Sequence, residues 1–296
     1  MSWIVLTVVS ALLLGLYDFF KKLAVRENAV LPVLFGGILT GGLIWLPFIL
    51  WSASSPSTLP HPSLYVTDLR PSDHALLFLK SALVVTSWIC GYLGLKALPL
   101  SIATPIRATS PVWTITLAML LFGEQPDFQQ WLGVSIIMAA FFLFSFAGRK
   151  EGIRFHRDKA VALLVVATLL GASSSLFDKY LLQSVKLSST EVQAWFSLYS
   201  IPAMLPVLWR WWRRPSREVF QFRWSIPAIG VTLLIADWLY FTAITDSEAL
   251  ISVIAPVRRA ATVVSFALGI LWLKEPFRAS KGIAVAGILL GVFLLV

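Results

Sequence analysis

The chain is poor in the residues that build most enzymes. It has one cysteine, three histidines and only 13% charged residues among 296. Cys90 stands alone inside an apolar run, so a disulfide framework is excluded. His61, His74 and His156 fall in or beside loops, without helical pairing or cysteine companions, which argues against a metal centre. No Gly-x-x-x-x-Gly-Lys-Ser/Thr loop occurs, so ATP drive through a P-loop is not expected. No nucleophile, base and metal ligands converge at one place, so no catalytic residues and no cofactor are expected and the chain is not read as an enzyme. The first apolar run has no basic segment before it; Lys21 and Lys22 follow it instead, which does not fit a cleavable signal peptide.

What is abundant is apolar surface. At 58% hydrophobic residues, a soluble domain could not cover its core with so few charges. The net charge of +9 does not point to nucleic acid, because Lys and Arg sit in short loops between apolar runs, where they set topology. Runs of roughly 20 apolar residues cross a bilayer as helices. Ten such runs occur, at 3–20, 30–51, 75–98, 100–122, 130–147, 160–182, 192–209, 225–244, 249–273 and 279–296. The third carries Lys80 near its start. A basic linker, 149–159, separates two halves, 1–148 and 160–296. Five spans before the linker and five after it oblige the halves to enter the membrane from opposite sides, the inverted-repeat plan. The expected fold is an all-α membrane protein of ten transmembrane helices in two inverted five-helix repeats. The loop 52–73, rich in Ser and Pro, reads as an irregular surface loop. The basic loops predict a cytoplasmic face opposite both termini. Trp3, Trp45, Trp51, Trp209, Trp211, Trp212 and Trp224 fit interfacial belts. The pairs Gly37–Gly41 and Gly287–Gly291 let helix backbones approach, either within one chain or across a homodimer face.

The halves share a motif. ATPIRATSPVWTITLAMLLFGEQPDFQQWLG at 103–133 aligns with APVRRAATVVSFALGILWLKEPFRASKG at 255–282. Pro105 falls on Pro256, Arg107 on Arg258 and Glu124 on Glu275. Each arginine lies about 12–15 Å inside its span at 1.5 Å per residue, too deep to reach the near surface easily. Each follows a proline by two residues, and proline favours a kinked or broken helix. A backbone break beside a mid-membrane arginine suits a transporter site, although structural ion pairing would also hold such arginines. Asp237, in the eighth span beside Trp238 and Tyr240, is a candidate partner for Arg258 or Arg259 and a candidate proton carrier. Asp18 and Asp178 occupy matching places late in spans one and six and read as gating or interfacial residues. Trp88 and Tyr92, one turn apart, form a candidate apolar wall. Inversion places Glu124 and Glu275 on opposite faces, which makes them helix-end caps rather than a paired acid and base.

These stretches resemble the EamA-type repeat of the drug/metabolite transporter superfamily, in LPLSIATPIRATSPVWTITLAMLLFGEQPDFQQWLG, including Pro111, and in SEALISVIAPVRRAATVVSFALGILWLKEPF, where Thr262 replaces a frequent proline. The resemblance implies a multi-pass carrier of the inner (cytoplasmic) membrane, working by alternating access around a central cavity. It implies a lining from the first, third and fourth helices of each half: Asp18, Trp88, Tyr92, Arg107, Asp178, Asp237, Tyr240 and Arg258. Such members usually carry cytoplasmic termini, the reverse of what the basic loops predict here. The expected function is a secondary transporter that exports or exchanges small metabolites, such as amino acids or organic anions, with a proton as candidate coupling ion. A flippase for lipid-linked intermediates and a lipid-modifying membrane enzyme are the alternatives.

Overall fold

The computed structural model describes residues 2–97, 106–107, 109–146, 158–213, 219–273 and 279–295. Pro105, Glu275 and most of the basic linker lie outside the described residues. Among those described, every regular element is helical: α1 (Trp3–Val25), α2 (Val30–Ser54), α3 (Pro71–Ala97), α4 (Ser110–Phe122), α5 (Phe128–Phe146), α6 (Lys159–Lys179), α7 (Ser189–Trp212), α8 (Ser225–Ile244), α9 (Ile251–Arg259), α10 (Ala261–Leu273) and α11 (Ala279–Leu295). A π-helical turn, Tyr180–Ser184, extends α6. Among the described residues six segments are long and apolar enough to cross a bilayer, one of them α9 and α10 taken together, and shorter apolar helices lie at Ser110–Phe122, Phe128–Ala140 and Val285–Leu294. This is an all-α membrane protein.

Local chemistry sets the helix starts. Asp158, near the end of the expected linker, caps α6 by accepting from the amides of Ala160 and Val161. Ser188 and Glu191 form a reciprocal capping box at α7. Lys80 does not interrupt the third span; α3 is continuous through it.

Contacts between loops show which helix ends share a face. Asn28, between α1 and α2, bonds the backbone of Gln221 before α8, and Arg223 donates to the carbonyls of Leu23 and Arg26. These join the basic loops on one face. On the other face Gln129, at the start of α5, donates to the carbonyl of Leu294 at the end of α11, and Thr190 donates to Ser63. This second face carries the start of α1 and the end of α11 and is called the terminal face below.

The halves interlock. The first helix of each half packs on the third of the other, α1 on α8 and α6 on α3, while α2 meets α7 and α5 meets α11. The main core accordingly mixes Leu77, Ile115 and Ile137 with Leu176, Phe241, Ile254 and Ile288. Where lipid removes the hydrophobic drive between helices, close backbone approach replaces it. Gly37 lies against Ile229 and Gly230, Gly41 against Ser197, Gly287 against Ala140, and Gly291 against Ile137 and the Gly133 carbonyl. The small-residue pairs therefore pack within one chain, between its halves. Two of the tryptophans expected in the interfacial belt, Trp3 and Trp45, are buried in this packing, while Trp51, Trp209, Trp212 and Trp224 are exposed. The loop after α2 is more ordered than its composition suggests: two 3₁₀ turns, Pro56–Thr58 and Pro62–Leu64, lead to buried Val66, whose amide bonds Ser52 Oγ.

The repeated spans break at matching places. Thr109 N bonds Ile106 O and Val112 N bonds Thr109 O; in the second half Ala260 N bonds Val257 O and Val263 N bonds Ala260 O. Each is a short i→i+3 turn two residues after the repeat arginine. In the second half Pro256 itself lies inside α9, so the break comes one turn beyond the proline rather than at it.

Candidate functional site

Above the break in the second half, charged and aromatic groups from α3, α6, α8 and α9 form a chain. Arg258, on the last turn of α9, places Nη2 2.6 Å from Asp237 Oδ1 on α8. The same guanidinium lies 3.8 Å from the centre of the Tyr240 ring, one turn along α8 from Asp237. Tyr240 then donates its hydroxyl to Asp178 Oδ2 at 3.2 Å. Asp178 Oδ1 lies 2.6 Å from Lys80 Nζ, whose ammonium also sits over the rings of Phe196 and Phe241. Low-dielectric surroundings make an isolated charge costly, and pairing with several partners offsets that cost. Lys80, at 2% exposure, is the extreme case.

A small cavity of about 30 Å³ adjoins this chain, lined by Asp237, Trp88, Gln193, Phe196, Ser197 and Ser200 with the small residues of α2 and α8. That volume suits a water rather than a metabolite. Among the described residues, Gln193 Oε1 in this lining is buried without a partner, while its Nε2 donates to Ser197 Oγ, and Arg258 Nε, on the far side of the pair with Asp237, also lacks one. Unsatisfied buried groups are costly and mark places where a ligand or water belongs.

The other expected residues stand elsewhere. Tyr92 packs on the same cluster as Trp88, and its ring takes the Lys21 ammonium at 4.7 Å. Arg107 and Asp18 are exposed, within electrostatic reach of Lys21 and Arg259. Arg259 donates to Ser110 Oγ at the start of α4. The repeat arginines thus occupy different settings: Arg258 is paired and half-buried, Arg107 exposed in a mainly cationic cluster. Asp18 and Asp178 diverge in the same way. Asp178 is buried, and its partner is Lys80 from the other half rather than neighbouring Lys179, so it is no interfacial anchor.

Glu124 is the largest departure from expectation. It is a helix-end cap, but it caps α9 of the opposite half, and it pairs with buried Lys179. Lys80, Lys179 and Gln193 were not among the candidates. A lysine early in an apolar span and a glutamine inside one were the available signals, since polar side chains at membrane depth face partners or cavities.

A family model described as the EamA-like transporter family matches residues 1–146 and 158–296. A solved structure titled "Crystal structure of protein" is similar in fold, with a TM-score of 0.72 at 15% identity over 99% of this chain and 97% of that one. No curated protein matches the chain.

Proposed function

Since the chain belongs to the EamA-like transporter family, we propose that it is a secondary transporter of the cytoplasmic membrane, exporting or exchanging small metabolites by alternating access. The observation that carries this reading is the Arg258–Asp237 pair, set where a span is broken, with Asp237 lining a small cavity that also holds the unpartnered Gln193 Oε1. A guanidinium grips a carboxylate in bidentate fashion. A substrate carboxylate that takes Arg258 releases Asp237 to accept the substrate's ammonium or a proton. Gln193 Oε1 supplies a further acceptor, and Trp88 and Phe196 an apolar wall. Amino acids satisfy all of these groups; organic anions satisfy Arg258 alone. Arg107, Asp18 and Tyr92 belong to the exposed approach on the basic side, and Tyr240 and Asp178 hold Arg258 in place.

Uptake into proteoliposomes tests the reading, with L-phenylalanine and 3-phenylpropanoate as a matched pair differing in the ammonium. Arg258→Gln should lower uptake at least about tenfold, the worth of one charge-assisted interaction, and Arg258→Lys should not restore it. Unchanged uptake and affinity in Arg258→Gln would make the pair structural. An Asp237→Asn protein that still accumulates substrate uphill with the wild-type pH dependence would remove the proton from the scheme.

A further inference from the structure

At the terminal face, a carboxylate of the first half fills the end of a helix in the second. Gly123, with φ of 65°, ends α4 in the left-handed region and turns the chain so that Glu124 points inward. Glu124 Oε1 accepts from Lys179 Nζ at 2.6 Å and from the Ile251 amide at 2.9 Å. Its Oε2 accepts from the Ser252 amide at 2.9 Å and from Ser252 Oγ at 2.5 Å. Lys179 also donates to the Ala249 carbonyl at 3.2 Å. The two amides belong to the first turn of α9, where a helix has no internal acceptors for its donors, and a negative charge there suits the helix dipole. Glu124 and Lys179 are both buried.

Each bond that Glu124 makes here crosses between the halves. If the halves part at this face, Glu124 and Lys179 exchange each other for water. They are stable paired and dry, or separate and wet, and costly in between. That is the behaviour of a two-state element.

We propose that Glu124 is the latch of the terminal face and, through α9, the positioning residue for Arg258. The inference rests on the reading of Arg258 as part of the substrate site. Glu124 holds the first turn of the nine-residue α9, and Arg258 leaves its last turn towards Asp237. With the latch made, the terminal face is shut and Arg258 is seated, while Asp18, Arg107 and Arg259 stand exposed. Releasing the latch frees α9, withdraws Arg258 from Asp237 and opens the terminal face.

The test reads accessibility. In a Cys90→Ser background, Ser175→Cys places a thiol on α6 one turn before Lys179, and a membrane-impermeant maleimide is added from each side of proteoliposomes. Glu124→Gln alone leaves Lys179 buried without its counter-charge, a defect that acts on folding itself, so the deciding variant is Glu124→Gln with Lys179→Met, which removes both charges together. Losing these charge-assisted bonds should raise labelling from the terminal face at least about tenfold. Ser252→Ala, which deletes only the hydroxyl donor, should give a smaller rise in the same direction. Latch loss should also change the turnover of L-phenylalanine uptake more than its KM. Wild-type labelling from both faces in the double variant overturns the latch. If labelling rises but the wild-type protein moves neither probe, the latch stands and the substrate reading falls.

Discussion

At the scale of single residues, this molecule is governed by what a buried charge requires. Lys80 could have reached lipid headgroups only by snorkelling, yet it turns inward, because Asp178 and two aromatic faces meet it there. Removing one member of such a pair is worse than removing both. Lys80→Met alone should cost about 3–5 kcal/mol, seen as a large drop in the thermal unfolding temperature of detergent-solubilised protein, and Lys80→Met with Asp178→Leu should recover most of the loss. Equal destabilisation by the single and double variants would show that the ammonium contributes packing rather than charge. Arg258 differs in being less buried and in keeping one unpartnered nitrogen, which suits the proposed exchange of Asp237 for a substrate carboxylate. The arginine and aspartate candidates were legible because such residues are rare in apolar spans. Their partners were not, since Lys80 and Asp178 are 98 positions apart in sequence and meet only through packing of α3 on α6.

At the scale of elements, the helices follow from apolar length and the breaks from the repeated motif. The proline two residues before each arginine signals a break, but the i→i+3 turns at Thr109 and Ala260 come a turn later. Close crossings are equally decisive. A Cβ added at Gly230 would lie 2.5 Å from the Gly37 carbonyl oxygen, so α2 and α8 could not keep their separation. Gly230→Ala should therefore lower stability by about 1–3 kcal/mol, the usual cost of overpacking. The thermal unfolding midpoint checks this; an unchanged midpoint would mean that the crossing relaxes freely. The sequence marked Gly37–Gly41 as a packing stripe but not its partners, because small-residue spacing says nothing of which helix approaches.

At the scale of the whole molecule, buried ion pairing at the terminal face contrasts with exposed charge elsewhere. Glu124, Lys179 and the first turn of α9 are bonded together at the terminal face, while Asp18, Arg107 and Arg259 are exposed. An impermeant thiol reagent on intact cells should discriminate Asp127→Cys, on the terminal face, from Arg210→Cys, on the basic face. The charge pattern predicts that Asp127→Cys reacts from outside; reaction of Arg210→Cys instead would place the termini in the cytoplasm. Lys179 drops out of that charge pattern, since a lysine buried in an ion pair is not a topology signal. The sequence by itself determined the membrane class, the two inverted halves and the Pro-x-Arg motif, because solvent and chain length constrain apolar runs and repeats directly. The tertiary structure alone decided which arginine is paired, that Asp178 is buried while Asp18 is not, and that Glu124 caps a helix of the opposite half. Those outcomes depend on contacts between residues far apart in the chain, such as Lys80 with Asp178 and Glu124 with Ser252, which packing of the halves creates and sequence spacing does not.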